Sequence, residues 1–332
     1  MSRRGVFLAL LTLLPVAVLA QGAPSLSVPV TCELGRACVV QNYVDRQPGA
    51  GARDYRCGFL TYDGHKGTDL RVIDFAAFGS GVAVVAAAPG RVRAVRDGMP
   101  DVSVRSAGKE SVERREAGNS VVIEHGDGWE TQYAHLRKGS VSVRAGDTVQ
   151  RGQRLGLVGL SGHTEFPHLH FEVRHQGRTV DPFVGVEAGE ACALGRKPLW
   201  RLSDLDALEY VVTGLLDAGI SAAPPILKDG AVDRDRAVLP DATAPAIVFW
   251  VHVYGAQAGD VEQIRLIAPG GGVLAERRAP IPGNRAQWLA YAGKRRGAAP
   301  WAPGTYRGEY ALMRGPQQER VIALVREITL PP

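Results

Sequence analysis

EFPHLHFEV, residues 165–173, lies midway along the chain and sets the reading of everything around it. His168 and His170 flank a leucine in a run with the character of a β-strand. Successive strand side chains point to opposite faces, so His168 and His170 project together, while Leu169 and Phe171 face the other way and can pack into a core. The strand is then a rigid mount for two imidazoles. Alone, His-x-His is weak evidence, because two solvated histidines on a strand would look the same.

The flanking sequence repeats the strand signal. NSVVIEHGDGWETQYAHL (119–136) reads as a hairpin: Val121, Ile123 and His125 alternate, Gly-Asp-Gly turns, and a second strand follows. GVAVVAAAPGRVRAV (81–95) reads as strand, Pro-Gly turn, strand, and VRAGDTVQRGQRLGLVG (143–159) as two short strands separated by turns. The fold class that follows is mainly β and antiparallel. Composition agrees: of 332 residues, 45% are apolar and 22% charged, with 40 glycines and 21 prolines, a globular mixture suited to short strands and tight turns.

A second cluster gives the histidine pair a chemical partner. GHKGTDL (64–70) holds His65 and Asp69, with Gly67 between them expected to let the backbone bend until both side chains converge. Imidazole nitrogen and carboxylate oxygen are both good zinc donors. His65, Asp69 and one histidine of the pair would make three protein ligands. A fourth position would stay open for water, as in a catalytic rather than a structural site. His135, at the end of the hairpin in QYAHL, adds another imidazole whose ordinary pKa suits acid–base work.

HxxxD, then YxHL, then HLHFE, in that order, resembles the LytM/lysostaphin-type zinc metalloendopeptidases, which are peptidoglycan hydrolases. The resemblance spans roughly residues 55–185 and includes AAAPGRV, the hairpin, AGDTVQRGQRLG and HLHFEV. It implies an antiparallel fold like a barrel-sandwich hybrid and one Zn2+ per chain, held by His65, Asp69 and His170. It implies His135 and His168 as catalytic histidines, and peptidoglycan stem peptides as the partner. Tyr133, two residues before His135, and Glu172, on the face of the motif histidines, are candidates for contact with substrate or for orienting an imidazole. His125 reads as structural, His175 as solvated, and His163 as a surface loop residue near the site. Two departures from the family stand out. Glu165-Phe166 precedes Pro-His-Leu-His where the family usually has glycine, and 71–81 and 99–118 form long loops that border the groove or are simply solvated.

The N-terminus reads as a signal peptide over 1–20: Arg3 and Arg4, an apolar stretch 6–19, then Val18-Leu19-Ala20. Export to a periplasm, or secretion, follows, with no stable membrane insertion once the signal is removed. Four cysteines in an oxidising compartment suggest two disulfides. Cys32 with Cys38 and Cys57 with Cys192 is the preferred pairing among the three that sequence allows. A net charge of +5 favours anionic envelope polymers. Nucleic acid is excluded as a partner, because the arginines are scattered and interleave with no aromatic stripe.

Residues 21–195 are therefore assigned to the peptidase domain with its N-terminal arm, 196–230 to a helix and linker, and 231–332 to a β-sandwich domain. The helix is expected over SDLDALEYVVTGLLDAGI (203–220), with Ser203 and Asp206 capping, Leu205, Leu208, Val212 and Leu215 at helical spacing, and Gly219 at its end. AIVFWVHVYGA, VEQIRLIAP, GTYRGEYALMR and ERVIALVREITL read as sandwich strands. Two other functions compete with hydrolysis. One is a latent or regulatory chain that binds cell wall or activates another hydrolase, itself open to a protein regulator. The other is a biotinyl-like carrier, which Lys138 in LRKGS does not support.

Overall fold

The structure, a computed structural model, describes residues 22–73, 75–187 and 192–332. The expected signal segment, 1–20, lies outside the described residues. The fold is mainly β, as the alternating runs require. The first half supplies β1 (Cys38–Asn42), β2 (Thr68–Val72), β3 (Ala83–Val85), β4 (Gly90–Arg96), β5 (Asn119–Glu124), β6 (Trp129–Leu136), β7 (Thr148–Val149), β8 (Arg154–Leu157), β9 (His168–His175) and β10 (Arg178–Thr179). One antiparallel sheet runs β1-β2-β9-β6-β5-β4-β7, with β10 also on β9, and β3 pairs with β8 in a second, two-stranded sheet. Period-two alternation sends Leu169 and Phe171 of β9, Tyr133 of β6, and Val121 and Ile123 of β5 into one buried cluster, with Val84 and Leu155 from the smaller sheet. The opposite face of β2, β9 and β6 is left for polar side chains.

Both disulfides form as preferred, Cys32–Cys38 and Cys57–Cys192. The second joins positions 135 residues apart and fastens the segment after β10 to the loop before His65. Loop 99–118 is not an open solvated stretch. It makes two short helical turns, Val104–Ala107 and Lys109–Val112. It docks on the loop before β9 through Val104 N–H to Thr164 O at 2.9 Å and His163 N–H to Glu116 O at 2.7 Å.

The helix expected over 203–220 is not there. A single turn, Leu202–Leu205, is followed by a strand, β11 (Gly214–Ser221). Ser203 does not cap; its hydroxyl reaches the Asp204 carboxylate instead. The reason is tertiary. β11 pairs antiparallel with β14 (Ala246–Ala256), bringing Gly219 opposite Trp250 and Gly214 opposite Tyr254. A Cβ on Gly219 would stand 2.6 Å from the Trp250 ring, and one on Gly214 2.4 Å from the Tyr254 ring. Both glycines are thus sites where large rings lie on the strand, not helix terminators.

Between them, the expected linker 221–230 carries β12 (Leu227–Lys228) and, past an Asp229-Gly230 turn, β13 (Ala231–Val232). Both turn residues have positive φ, 50° and 76°, as a two-residue hairpin turn demands. The remaining strands are β15 (Val261–Ile267), β16 (Val273–Pro280), β17 (Arg285–Arg295), β18 (Gly304–Arg314) and β19 (Glu319–Leu330). Sheets β11-β14-β17 and β16-β15-β18-β19 share an apolar cluster of Phe249, Val251, Ile264, Leu266, Tyr306 and Leu312. Two sheets closing over one core make a β-sandwich.

Candidate metal centre

β2 and β9 build the centre by register. Asp69 lies opposite His170 and Arg71 opposite His168. Directly opposed side chains share a face, so Asp69, His168 and His170 emerge together. His65 enters from the preceding loop, Nε2 first. Its Nδ1 donates to Tyr43 O at 2.7 Å, which leaves the Nε2 lone pair facing the cluster.

The donor atoms converge. His65 Nε2 is 3.1 Å from Asp69 Oδ1 and 3.2 Å from His170 Nδ1, and His170 Nδ1 is 2.9 Å from the same oxygen. All three residues offer atoms within 4.8 Å of one another. Bonds of about 2.0–2.2 Å to a tetrahedral zinc would put its ligands roughly 3.3 Å apart, so the spacing and the N2O donor set fit that ion. Asn42 donates to the other carboxylate oxygen, Asp69 Oδ2, at 2.9 Å and turns Oδ1 towards the histidines. Burial disfavours the Asp69 charge, but His65 and His168 beside it hold its carboxyl well below the usual range.

His135 and His168 complete a second group with His170. The two rings lie 4.7 Å apart. Each is fixed by its Nδ1: His135 to Ser161 O at 2.8 Å, His168 to Phe166 O at 2.9 Å, with the Thr164 hydroxyl 3.0 Å away. Nδ1 carries the proton in both, so Nε2 is the acceptor. Burial lowers the pKa of both, that of His135 far below the ordinary value, and both imidazoles are neutral.

His135 reaches this face by breaking the strand's alternation. In β6 Tyr133 pairs with Phe171 and Ala134 with His170, so regular geometry would turn position 135 to the core side. A backbone φ of 63° at His135, beside an irregularity in the β5–β6 register, swings it back. Tyr133 therefore does not share its face. It is fully buried, its ring is 5.3 Å from that of Phe171, and its hydroxyl accepts from Ala87 N–H at 2.8 Å. Glu172 does share the face of His168 and His170, but its carboxylate is engaged by Arg174 at 2.9 Å and Thr179 at 3.2 Å rather than by an imidazole.

His125 is structural, held between Pro89 O and Thr131 at 2.7 and 2.8 Å. His175 is not simply solvated, because its ring stacks on Trp129 at 4.3 Å. Gly67 has a role other than bending: a Cβ there would lie 2.6 Å from His170 Cε1.

Several residues that hold the site carry no motif of their own. Tyr43, Ser161 and Phe166 act through backbone carbonyls, which no side-chain pattern announces. Gln41 and Asn42 are brought in by a β-bulge in β1, where Val40 opposes Leu70 and Asn42 already opposes Asp69.

A cleft of about 350 Å³ opens over the cluster, lined by Asn42, Asp69, His135, His163, Phe166 and His168 among others. Ala286 and Gln287 of β17 close one side, so the sandwich forms part of its wall. A larger groove of about 1020 Å³ runs past the far side of His65, between Lys66, Arg178 and Asp181.

The profile of peptidase family M23 matches residues 63–182. Over 65 residues the chain is 49% identical to the peptidoglycan DD-endopeptidase ShyA of Vibrio cholerae serotype O1, covering 20% of this chain and 15% of that one. Over 148 residues it is 32% identical to an uncharacterized metalloprotease of Haemophilus influenzae, covering 43% of this chain and 26% of that one. Among solved structures, a zinc-containing peptidase from Vibrio cholerae is 29% identical over 43% of this chain and 38% of that one, with a TM-score of 0.28. The chain thus spans about a quarter or less of the two curated relatives' lengths. The motif order and the profile agree on the segment that carries the converging histidines: residues 63–182 are a domain of peptidase family M23.

Proposed function

We propose that the chain is an exported zinc metalloendopeptidase that hydrolyses peptide bonds in peptidoglycan cross-links. His65, Asp69 and His170 hold the zinc, and His135 and His168 do the proton chemistry. The observation that carries this reading is the convergence of His65 Nε2, Asp69 Oδ1 and His170 Nδ1 at 2.9–3.2 Å beside two further imidazoles whose Nδ1 atoms are tied to backbone carbonyls. The names of similar proteins, ShyA among them, support peptidoglycan as the substrate.

When bound, zinc supplies Lewis acidity for the scissile carbonyl and lowers the pKa of water. The protein's own part follows from its tautomers. A neutral imidazole with Nδ1–H tied to a carbonyl can take a proton only at Nε2, the atom that faces the cleft. Once protonated, it donates from the same atom, either to the oxygen of the scissile carbonyl or to the departing amine. Buried imidazoles resist protonation, so each is ready as a base before substrate arrives. Export fits the two disulfides, and a periplasm is the compartment in which direct stem-peptide cross-links would be met.

The test is mass spectrometry of soluble products from purified sacculi, with and without a zinc chelator. Chelator-sensitive loss of cross-linked dimers is expected, and the products identify the bond. Sacculi left intact by a zinc-loaded protein would overturn the hydrolase reading in favour of a latent or regulatory chain. Variants separate the roles. His65→Ala and His170→Ala are expected to lose zinc and activity together. His168→Ala is expected to keep most of its zinc while turnover falls by about 10²–10⁴-fold, the worth of a positioned acid–base group. Full activity in His168→Ala would sink that assignment.

A further inference from the structure

Arg71 is buried at 2% exposure, two residue pairs along the β2–β9 ladder from Asp69 and His170. Its described partners are all neutral. One guanidinium nitrogen donates to Gln41 Oε1 at 2.6 Å; another donates to the Gly230 carbonyl and to Gln287 Oε1 at 3.1 Å; the Phe166 ring lies 4.4 Å away. A buried cation without a carboxylate is costly unless something anionic meets it in the working state. The nearby carboxylate, Asp69, is already shared among His65, His170 and Asn42.

Arginine has only donors, so both glutamines turn their oxygens towards it and their NH2 groups away. Gln41 Nε2 is buried with no hydrogen-bond partner, on a residue 2% exposed. Gln287 Oε1 accepts from Arg71, which leaves its NH2 group to donate elsewhere. Both glutamines line the cleft that holds Asp69 and His168. Two carboxamide donors backed by one positive charge match the acceptor geometry and charge of a carboxylate.

We propose that Gln41, Arg71 and Gln287 form a subsite for a free carboxylate of the substrate peptide, assembled from the peptidase domain and the C-terminal sandwich together. The sandwich then acts as a specificity element, and the Asp229-Gly230 hairpin fixes it. A Cβ on Gly230 would lie 2.3 Å from Phe166 Cβ, so the hairpin tip sits directly on the residue that replaces the family's usual glycine. This inference rests on the hydrolase reading above.

The test uses the zinc-loaded exported protein and two synthetic cross-linked stem peptides that differ at one place. The carboxylate flanking the scissile amide is free in one and a carboxamide in the other. KM is expected to be about tenfold lower for the acid, as charge-assisted hydrogen bonds would give. Gln287→Leu should shrink that ratio to about twofold, and Gln287→Glu, which neutralises Arg71, should abolish or reverse it. Equal KM values in the wild type overturn the subsite and leave the hydrolase reading standing. If neither peptide is cut, the hydrolase reading falls, and calorimetry on the uncut peptides decides the subsite separately. Tighter binding of the acid upholds it; equal or absent binding overturns it.

Discussion

Gly67 shows what a single residue does here. The His170 ring occupies the place its side chain would take: a Cβ there would stand 2.6 and 2.7 Å from Cε1 and Nε2 and 2.9 Å from the Phe171 carbonyl. The backbone on one side of that Cβ is a paired strand and cannot give way, so the imidazole must. Gly67→Ala is therefore expected to leave the fold intact and weaken zinc binding by about 10–100-fold, the usual cost of disturbing a ligand's support. Competition against a chromophoric chelator measures this; unchanged affinity would show that the ring is free to move. At this scale the sequence was informative wherever a residue's chemistry is its side chain: His65, Asp69, His168 and His170 all meet in one cluster. It was silent where the backbone decides. The φ of 63° at His135 inverts the i, i+2 rule that put Tyr133 on its face, and the carbonyls of Tyr43, Ser161 and Phe166 have no signature.

At the scale of elements, residues 203–221 pose a conflict between local pattern and tertiary pairing. Leucines at helical spacing favour a helix, yet the chain commits Gly214–Ser221 to a strand opposite β14. Strands with steady period-two alternation, such as β15 and β18, were legible because one buried face is enough to define them, and β14 because its apolar run is unbroken and buried on both faces. β11 was not, because its glycines are small for the sake of Trp250 and Tyr254, residues about thirty to forty positions away. Gly219→Ala discriminates the two structures by sign. In a helix, alanine for glycine would stabilise by about 1 kcal/mol. On this strand the new methyl stands 2.6 Å from the Trp250 ring, and overpacking of that kind costs about 1–3 kcal/mol. Urea unfolding followed by tryptophan fluorescence is expected to show destabilisation, and a rise in midpoint would contradict the strand.

The whole molecule is held together across a polar seam, and that makes its stability depend on acidity. His252 lies in β14 at 1% exposure, with Arg71 of the peptidase domain and Gln287 of β17 beside it. Burial first, and then the Arg71 charge, push its pKa down from 6.5 to about 3. The unfolded chain binds a proton at this residue near pH 6.5, whereas the folded chain does not until about pH 3. Between those values the unfolded state holds more protons, so folding stability falls as pH falls, by up to about 1.4 kcal/mol per unit from this group alone. Above the unfolded pKa the contribution is flat. Other groups shift in the same range: Asp217, opposite His252 in the ladder, is raised by burial, burial lowers His125, and burial raises Asp181 to about 7. The comparison with His252→Gln removes what the two proteins share. Denaturant unfolding from pH 7.5 to 4 is expected to give near-parallel stabilities above pH 6.5. Below it, the wild type should lose ground progressively to the variant. Curves that stay parallel down to pH 4 would mean that the seam admits a charged imidazole. Progressive divergence would make acid a condition that weakens the seam between the sandwich and the wall of the cleft.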